Sequence, residues 1–262
     1  MVKVAKSLEQ CPFCSHKDVR LYNKTLFIWR CLSCGLLFRK ISESEFVKLY
    51  KDAWSDSGKH IDEIGVTTLD LARSYLQKIA ESLGLESFSG LKILDFGTGR
   101  GEMLTALSES GADAYGIDPF SYNYLDGRNF KVFRGIEKIP EEVSFDGIIA
   151  NDVIEHLFSP KDRIKDLYKL LKNGGWLYIA TPNNSSLNAR VFMSGWREFY
   201  NPGHIWFFNS VCLERIFSEL GIAKYKRLHW FIQYDRNPLR KLIHYLLRFS
   251  ELDGVLRYIL RK

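Results

Sequence analysis

Two close pairs of cysteines, a glycine-rich turn behind an aspartate, and histidines set among acids and aromatics are the parts of this chain equipped for chemistry. Cys11-x2-Cys14 and Cys31-x2-Cys34 are separated by 16 residues, and Gly35 follows the second pair. Zinc takes four thiolates tetrahedrally, and two tight Cys-x2-Cys turns at this separation supply them. Four protein ligands leave no open position, so the expected zinc is structural. The competing reading, a redox pair or unrelated buried thiols, needs the same motif to occur twice by chance. Cys212, near Leu213, Ile216 and Phe217, reads as core.

The second feature is Leu91-Lys-Ile-Leu-Asp95-Phe-Gly97-Thr98-Gly99-Arg-Gly101-Glu102. An apolar strand ends in Asp95, glycines follow at alternate positions, and a helix begins. Glycine lets the backbone turn sharply and approach a ligand that a side chain would keep away. The dinucleotide fingerprint is Gly-x-Gly-x-x-Gly, with helix amides aimed at a pyrophosphate. Here the third glycine comes one residue early, and Glu102 stands where it would repel that pyrophosphate. S-adenosylmethionine lacks phosphate and carries an ammonium and a sulfonium, so an acidic Gly-x-Gly-x-Gly site suits it better. Asp118, 23 residues after Asp95, ends the next strand, where a carboxylate can accept ribose hydroxyls. The bland alternative is a glycine-rich turn beside an ordinary surface acid.

These residues need elements to position them. Beyond Gly90, β-rich runs (92–96, 114–118, 131–134, 145–150 and 176–180) alternate with helical patterns at 102–109, 153–158 and 161–171. That alternation predicts an α/β fold, a Rossmann-like doubly wound, mainly parallel sheet with helices on both faces. Upstream, Ser42-Glu-Ser-Glu45 is a capping box. Residues 52–65 read as a linker, and Leu69, Ala72, Leu76, Ile79 and Leu83 recur at helical spacing. The expected organisation is a zinc ribbon at 1–40, a helical linker or cap at 41–90, the main domain at 91–233, and a basic amphipathic helical tail at 234–262.

Residues 91–182 resemble the core of a class I S-adenosylmethionine-dependent methyltransferase. The stretch Asp95 to Gly101 resembles its glycine motif, Gly116-Ile-Asp118 its acidic ribose motif, Phe145 to Leu157 its fourth strand and following helix, and Leu171-Lys-Asn-Gly174-Gly175 its turn into the fifth. The resemblance implies a cofactor set of Asp95, Gly97, Thr98, Gly99, Gly101, Asp118, Pro119, Glu137 and Asn151. Val153-Ile-Glu155-His156-Leu resembles small-molecule O-methyltransferases, including those of ubiquinone biosynthesis. Thr181-Pro-Asn and Pro202-Gly-His204-Ile-Trp-Phe-Phe-Asn209, with the cysteine pairs, are similar to a bacterial and archaeal group often tied to sugar, surface-polysaccharide or lipid-linked pathways. Transfer to a hydroxyl needs a placed nucleophile and a base, and histidine titrates in the right range. His204 is the favoured base, His156 the alternative, and Asp152 a partner. The aromatic insert (Trp196, Phe199, Tyr200, Trp206, Phe207, Phe208) reads as an acceptor lid, with core packing as the rival reading.

Net charge is +6, and the segment 223–262 alone carries ten Lys and Arg against three acids. The remainder is near neutral, which disfavours nucleic acid as the partner of the core, although an RNA-directed enzyme using ribbon and tail stays open. The tail, entered at Asn237-Pro238 with Leu242, Leu246 and Phe249 in a stripe and restarting at Ser250, fits an anionic membrane surface, its own domain, or a twin subunit. A seventh strand is not evident. No run approaches the roughly 20 apolar residues that span a bilayer, and no secretory leader is visible, so the expected location is cytoplasmic, with membrane-peripheral contact through the tail.

Overall fold

The computed structural model describes residues 10–42, 44–48, 66–125, 130–230 and 252–262. Its strands, in chain order, are β1 (Val19–Asn23), β2 (Ile28–Cys31), β3 (Leu37–Arg39), β4 (Lys92–Phe96), β5 (Asp113–Ile117), β6 (Lys131–Phe133), β7 (Phe145–Asn151), β8 (Leu171–Pro182), β9 (Trp206–Phe207), β10 (Tyr225–Arg227) and β11 (Val255–Arg261). Seven of them form one sheet in the order β6-β5-β4-β7-β8-β11-β10. The ladders from β6 to β8 are parallel, while β11 runs antiparallel to both β8 and β10. From β4 the chain winds first to one side, through β5 and β6, and then to the other, through β7. The crevice above the carboxyl ends of β4 and β7 is therefore the topological switch point, where open α/β sheets take ligands.

Each sheet face is covered. The helices Val66–Leu83 and Glu102–Glu109 share a buried cluster with Ile93, Trp176, Tyr178 and Ile259. On the other face, Pro160–Leu170 and Ser210–Glu219 bury Ile164, Leu167, Leu213 and Phe217 against Leu94, Ile148 and Tyr258. The run 153–158, expected as a helix, is only a 3-10 turn at Ile154–His156. The capping box forms: the Ser42 amide donates to Glu45 Oε2 at 2.9 Å and the Glu45 amide to Ser42 Oγ at 3.3 Å.

The C-terminal expectation needs correction. Val255–Arg261 is a strand of the main sheet, and not part of the helix expected to restart at Ser250 and to contain Leu256, Ile259 and Leu260. It is the seventh strand missed in the sequence. Leu256, Tyr258 and Leu260 pack on one sheet face and Ile259 on the other. A strand buried on both faces loses its two-residue alternation and can mimic helical spacing. The proposed linker at 52–65 and the tail helix around Pro238, Leu242, Leu246 and Phe249 lie outside the described residues.

The ribbon is not a free appendage. β1, β2 and β3 form an antiparallel meander, and β9, from the far half of the chain, pairs with β3 as a fourth strand. Trp196, Phe199 and Phe207 pack with Ile28 and Leu37 of the ribbon, and Phe208 is fully buried. The aromatic insert is thus largely the seam between ribbon and main domain. Of its members only Tyr200 is widely exposed.

Candidate functional site

The four paired cysteines converge as expected. Cys11 and Cys34 sulfurs are 3.8 Å apart, those of Cys14 and Cys31 3.5 Å apart, and all four lie within 4.8 Å of one another. Thiolates about 2.3 Å from a tetrahedral zinc stand roughly 3.8 Å from each other, whereas a disulfide needs about 2.05 Å. The donor set therefore fits zinc. Cys212 is buried beside this cluster and directs its thiol to the Cys34 carbonyl at 3.3 Å.

At the switch point, Asp95 sits at the end of β4, 4% exposed, and its Oδ2 has no hydrogen-bond partner. Burial pushes the Asp95 carboxyl up to about 8, and the charges of Asp118 and Glu102 add to the effect. A buried carboxyl oxygen with nothing to bind awaits a donor or a cation. Gly97 has φ +84°, and a Cβ there would stand 2.4 Å from Val153 Cγ2, so only glycine fits the turn. The Gly97 amide donates to the Ile117 carbonyl at 2.8 Å, and Thr98 Oγ1 donates to the Asp95 carbonyl at 3.1 Å. Asp118 Oδ2 accepts from the Gly99 amide at 3.0 Å, while Oδ1 accepts from the amides of Phe120 and Ser121. Three of its four acceptor sites are thus used within the protein, which leaves about one for a ribose hydroxyl rather than two oxygens free.

Gly97, Asp118, Pro119 and Glu137 line a cavity of about 410 Å³, together with Ile136, His156 and Leu157. Asp95, Thr98, Gly99, Gly101 and Asn151 are not among the residues that line it. Asn151 donates to Asp152 Oδ2 at 3.0 Å, and its own Oδ1 is buried without a partner. Asp152 has a left-handed backbone, φ +54°. Its side chain is reachable by water but crowded by protein on its other sides. Lost hydration raises it to about 6, with Arg257 pulling the other way.

The two histidines meet, with ring centroids 4.5 Å apart, but play different parts. His156 is on the cavity wall; His204 is behind it and is not among the lining residues. The favoured base in the sequence was the one the fold buries away from the cavity. Asn201 Nδ2 donates to His204 Nε2 at 3.0 Å, so the other ring nitrogen carries the proton and faces Glu198 at 3.4 Å. Burial lowers His156 to about 4 and His204 to about 3, the latter helped by the neighbouring ring and Arg39. Both are neutral near pH 7.

Several contributors were not singled out in the sequence. Glu155 is buried, accepts from Thr181 Oγ1 at 2.8 Å, and has its other oxygen 3.9 Å from His204 Nε2. Burial and the charge of Asp152 hold it well above the usual carboxylate range. Gly203 packs so closely that a Cβ would lie 2.9 Å from His156 Nδ1. Arg39, from the ribbon, donates to the carbonyls of Phe199, Asn201 and Pro202 and so holds the loop that carries His204. Glu155 had a signal in sequence as the acid next to His156, and Gly203 as part of the Pro202–Asn209 run; Arg39 had none, since its contacts span 160 residues or more.

Comparison with known proteins adds a family and a fold. A family model described as a methyltransferase domain matches residues 69–226. The human mitochondrial ubiquinone biosynthesis O-methyltransferase is 30% identical over 154 residues, covering 51% of this chain and 42% of that protein. The tRNA U34 carboxymethyltransferase of Idiomarina loihiensis is 30% identical over 159 residues, covering 53% and 49%. The chain thus spans under half the length of these two relatives. A SAM-dependent methyltransferase from Archaeoglobus fulgidus superposes with a TM-score of 0.53 at 20% identity, over 82% of this chain and 99% of that one, a likeness of fold.

Proposed function

Since the chain belongs to the methyltransferase domain family, we propose that it carries methyl groups from S-adenosylmethionine to a hydroxyl of a small-molecule, sugar or lipid-linked acceptor. The observation that carries this reading is the unpartnered Asp95 carboxyl oxygen beneath a left-handed glycine turn, beside a cavity walled by a neutral histidine. When bound, the cofactor supplies an electrophilic methyl on a sulfonium. Asp95 would receive its ammonium, Asp118 a ribose hydroxyl, and Pro119, Ile136 and Glu137 its adenine end. Gly97, Gly99 and Gly101 keep side chains out of the way, and Asn151 borders the methionine portion.

His156 is the base in this proposal. A ring held neutral can take the acceptor proton as the oxygen attacks, which typically contributes ~10²–10⁴-fold. His204 and Glu155 fix the orientation of that ring from behind, so His204 is a positioning residue, and Asp152 helps orient the acceptor from the adjacent rim. Zinc on Cys11, Cys14, Cys31 and Cys34 is structural: it anchors β3, whose Arg39 holds the His204 loop.

A second reading, RNA-directed transfer, is favoured by the likeness to a tRNA U34 carboxymethyltransferase. Incubation with cofactor labelled at the methyl group, offered small-molecule extract and bulk RNA separately, tests both. Label in small molecules supports the first reading, and label confined to RNA replaces it with the second. Calorimetry with S-adenosylmethionine and NAD checks the premise: binding of NAD alone refutes it.

A further inference from the structure

Away from the cofactor crevice, a cavity of about 310 Å³ lies between the ribbon and the segment after β8. Tyr22, Arg30, Asn184, Ser185, Arg190 and Met193 help to line it, and no carboxylate does. Neither arginine has an acidic partner among the described residues. Arg190 gives its Nε to the Ser185 carbonyl at 2.9 Å. Arg30 stands directly across from Arg20 in the β1–β2 ladder, an arrangement of like charges that destabilises unless an anion is near. Arg20 is matched by Asp18 at 3.3 Å; Arg30 is not.

Met193 on the cavity wall ends an exposed apolar run. Val191, Phe192 and Met193 are 64%, 61% and 60% exposed, three large apolar side chains in succession. Met193, with φ +46°, ends the helix Leu187–Phe192, so the three side chains stand together on the surface at that helix end. Tyr200 is also widely exposed and donates to the Ser194 carbonyl at 3.3 Å. Scattered single apolar residues on a surface mean little, but consecutive ones beside uncompensated arginines need a partner. Short apolar runs of this kind at a helix end can enter a lipid headgroup boundary. The flanking charges demand that the lipid be anionic, and an exposed tyrosine suits the boundary between water and lipid.

We propose that this face docks on an anionic phospholipid bilayer, with Val191, Phe192 and Met193 entering the headgroup boundary and a lipid phosphate seated between Arg30 and Arg190. The docking does not depend on the acceptor or on methyl transfer. The test is co-sedimentation of the full chain with phosphatidylcholine vesicles prepared with and without phosphatidylglycerol. Binding is expected only with phosphatidylglycerol and is expected to weaken as salt rises. Near such a surface each arginine contributes about fivefold, so Arg30→Glu with Arg190→Glu should lose at least about 25-fold. Phe192→Asp should abolish insertion, with zinc content and cofactor binding unchanged in both variants. Equal binding to both vesicle types, binding to neither, or native binding by either variant overturns the proposal. So does a wild-type dimer that Phe192→Asp dissociates without any vesicle binding, which would assign the apolar run to a second copy. Inorganic phosphate held by the arginines with no vesicle binding would likewise refute the bilayer as occupant.

Discussion

Binding of a cationic cofactor beside Asp95 is expected to expel a proton, and the amount follows from the site. With its carboxyl raised to about 8, Asp95 is about 90% protonated at pH 7. An ammonium in contact lowers a carboxyl by about 1–3 units, so the bound state sits near 6 and keeps roughly a tenth of that proton. The difference is roughly 0.8 proton released per cofactor at pH 7. The sign is fixed: the proton competes with the ammonium, so affinity for S-adenosylmethionine rises as pH climbs from about 6 toward about 8, where the cofactor's own amino group begins to lose its proton and the gain ends. Calorimetry in two buffers of different ionisation heat measures the release directly. Asp95→Asn should release none and bind about 10–100-fold more weakly, since a hydrogen bond to a charged group is worth about 1.5–3 kcal/mol. Release below about 0.2 proton at pH 7, or an Asn variant with native affinity, would refute the assignment of Asp95 to the ammonium.

Three further outcomes follow from the same geometry. Cys31→Ser should lose zinc by metal analysis and, by loosening β3 and Arg39, lower turnover; unchanged zinc content would sink the metal assignment. His156→Ala should cut turnover by ~10²–10⁴-fold, whereas His204→Ala should cost less and shift the pH profile of kcat/KM. With a base near 4, the native kcat/KM for the acceptor, measured at saturating cofactor, stays level from pH 8 to 6 and falls only toward pH 4, while a limb near 6 would hand the role to Asp152. Gly97→Ala places a Cβ 2.4 Å from Val153 at a positive φ, so thermal stability should fall by more than about 1 kcal/mol together with cofactor affinity, as read by thermal melting and calorimetry.

The parts of this site that sequence made legible are local ones. Asp95 and its glycines lie within one strand-turn-helix, where spacing alone dictates backbone path and the charge of Glu102 argues against a pyrophosphate. The cysteine pairs are legible for the same reason. His204 was harder. Its distance from the cavity depends on Arg39 reaching carbonyls at 199–202 and on β3 pairing with β9, and no window of sequence holds both partners. The aromatic insert misled because a lid and a seam between two units have the same composition. Strand β11 misled because burial on both faces erased its alternation.

That last strand has a consequence for how the molecule is made. β11 lies between β8 and β10 and is the neighbour that joins them. Until residues 255–261 have left the ribosome, β8 presents an open row of backbone donors and acceptors along a strand whose residues 175–181 are all buried in the finished fold. Such an edge invites pairing with other chains. The nascent protein therefore makes residues 183–254 with this edge of its sheet unpaired, and its dependence on chaperones should be greatest over that interval.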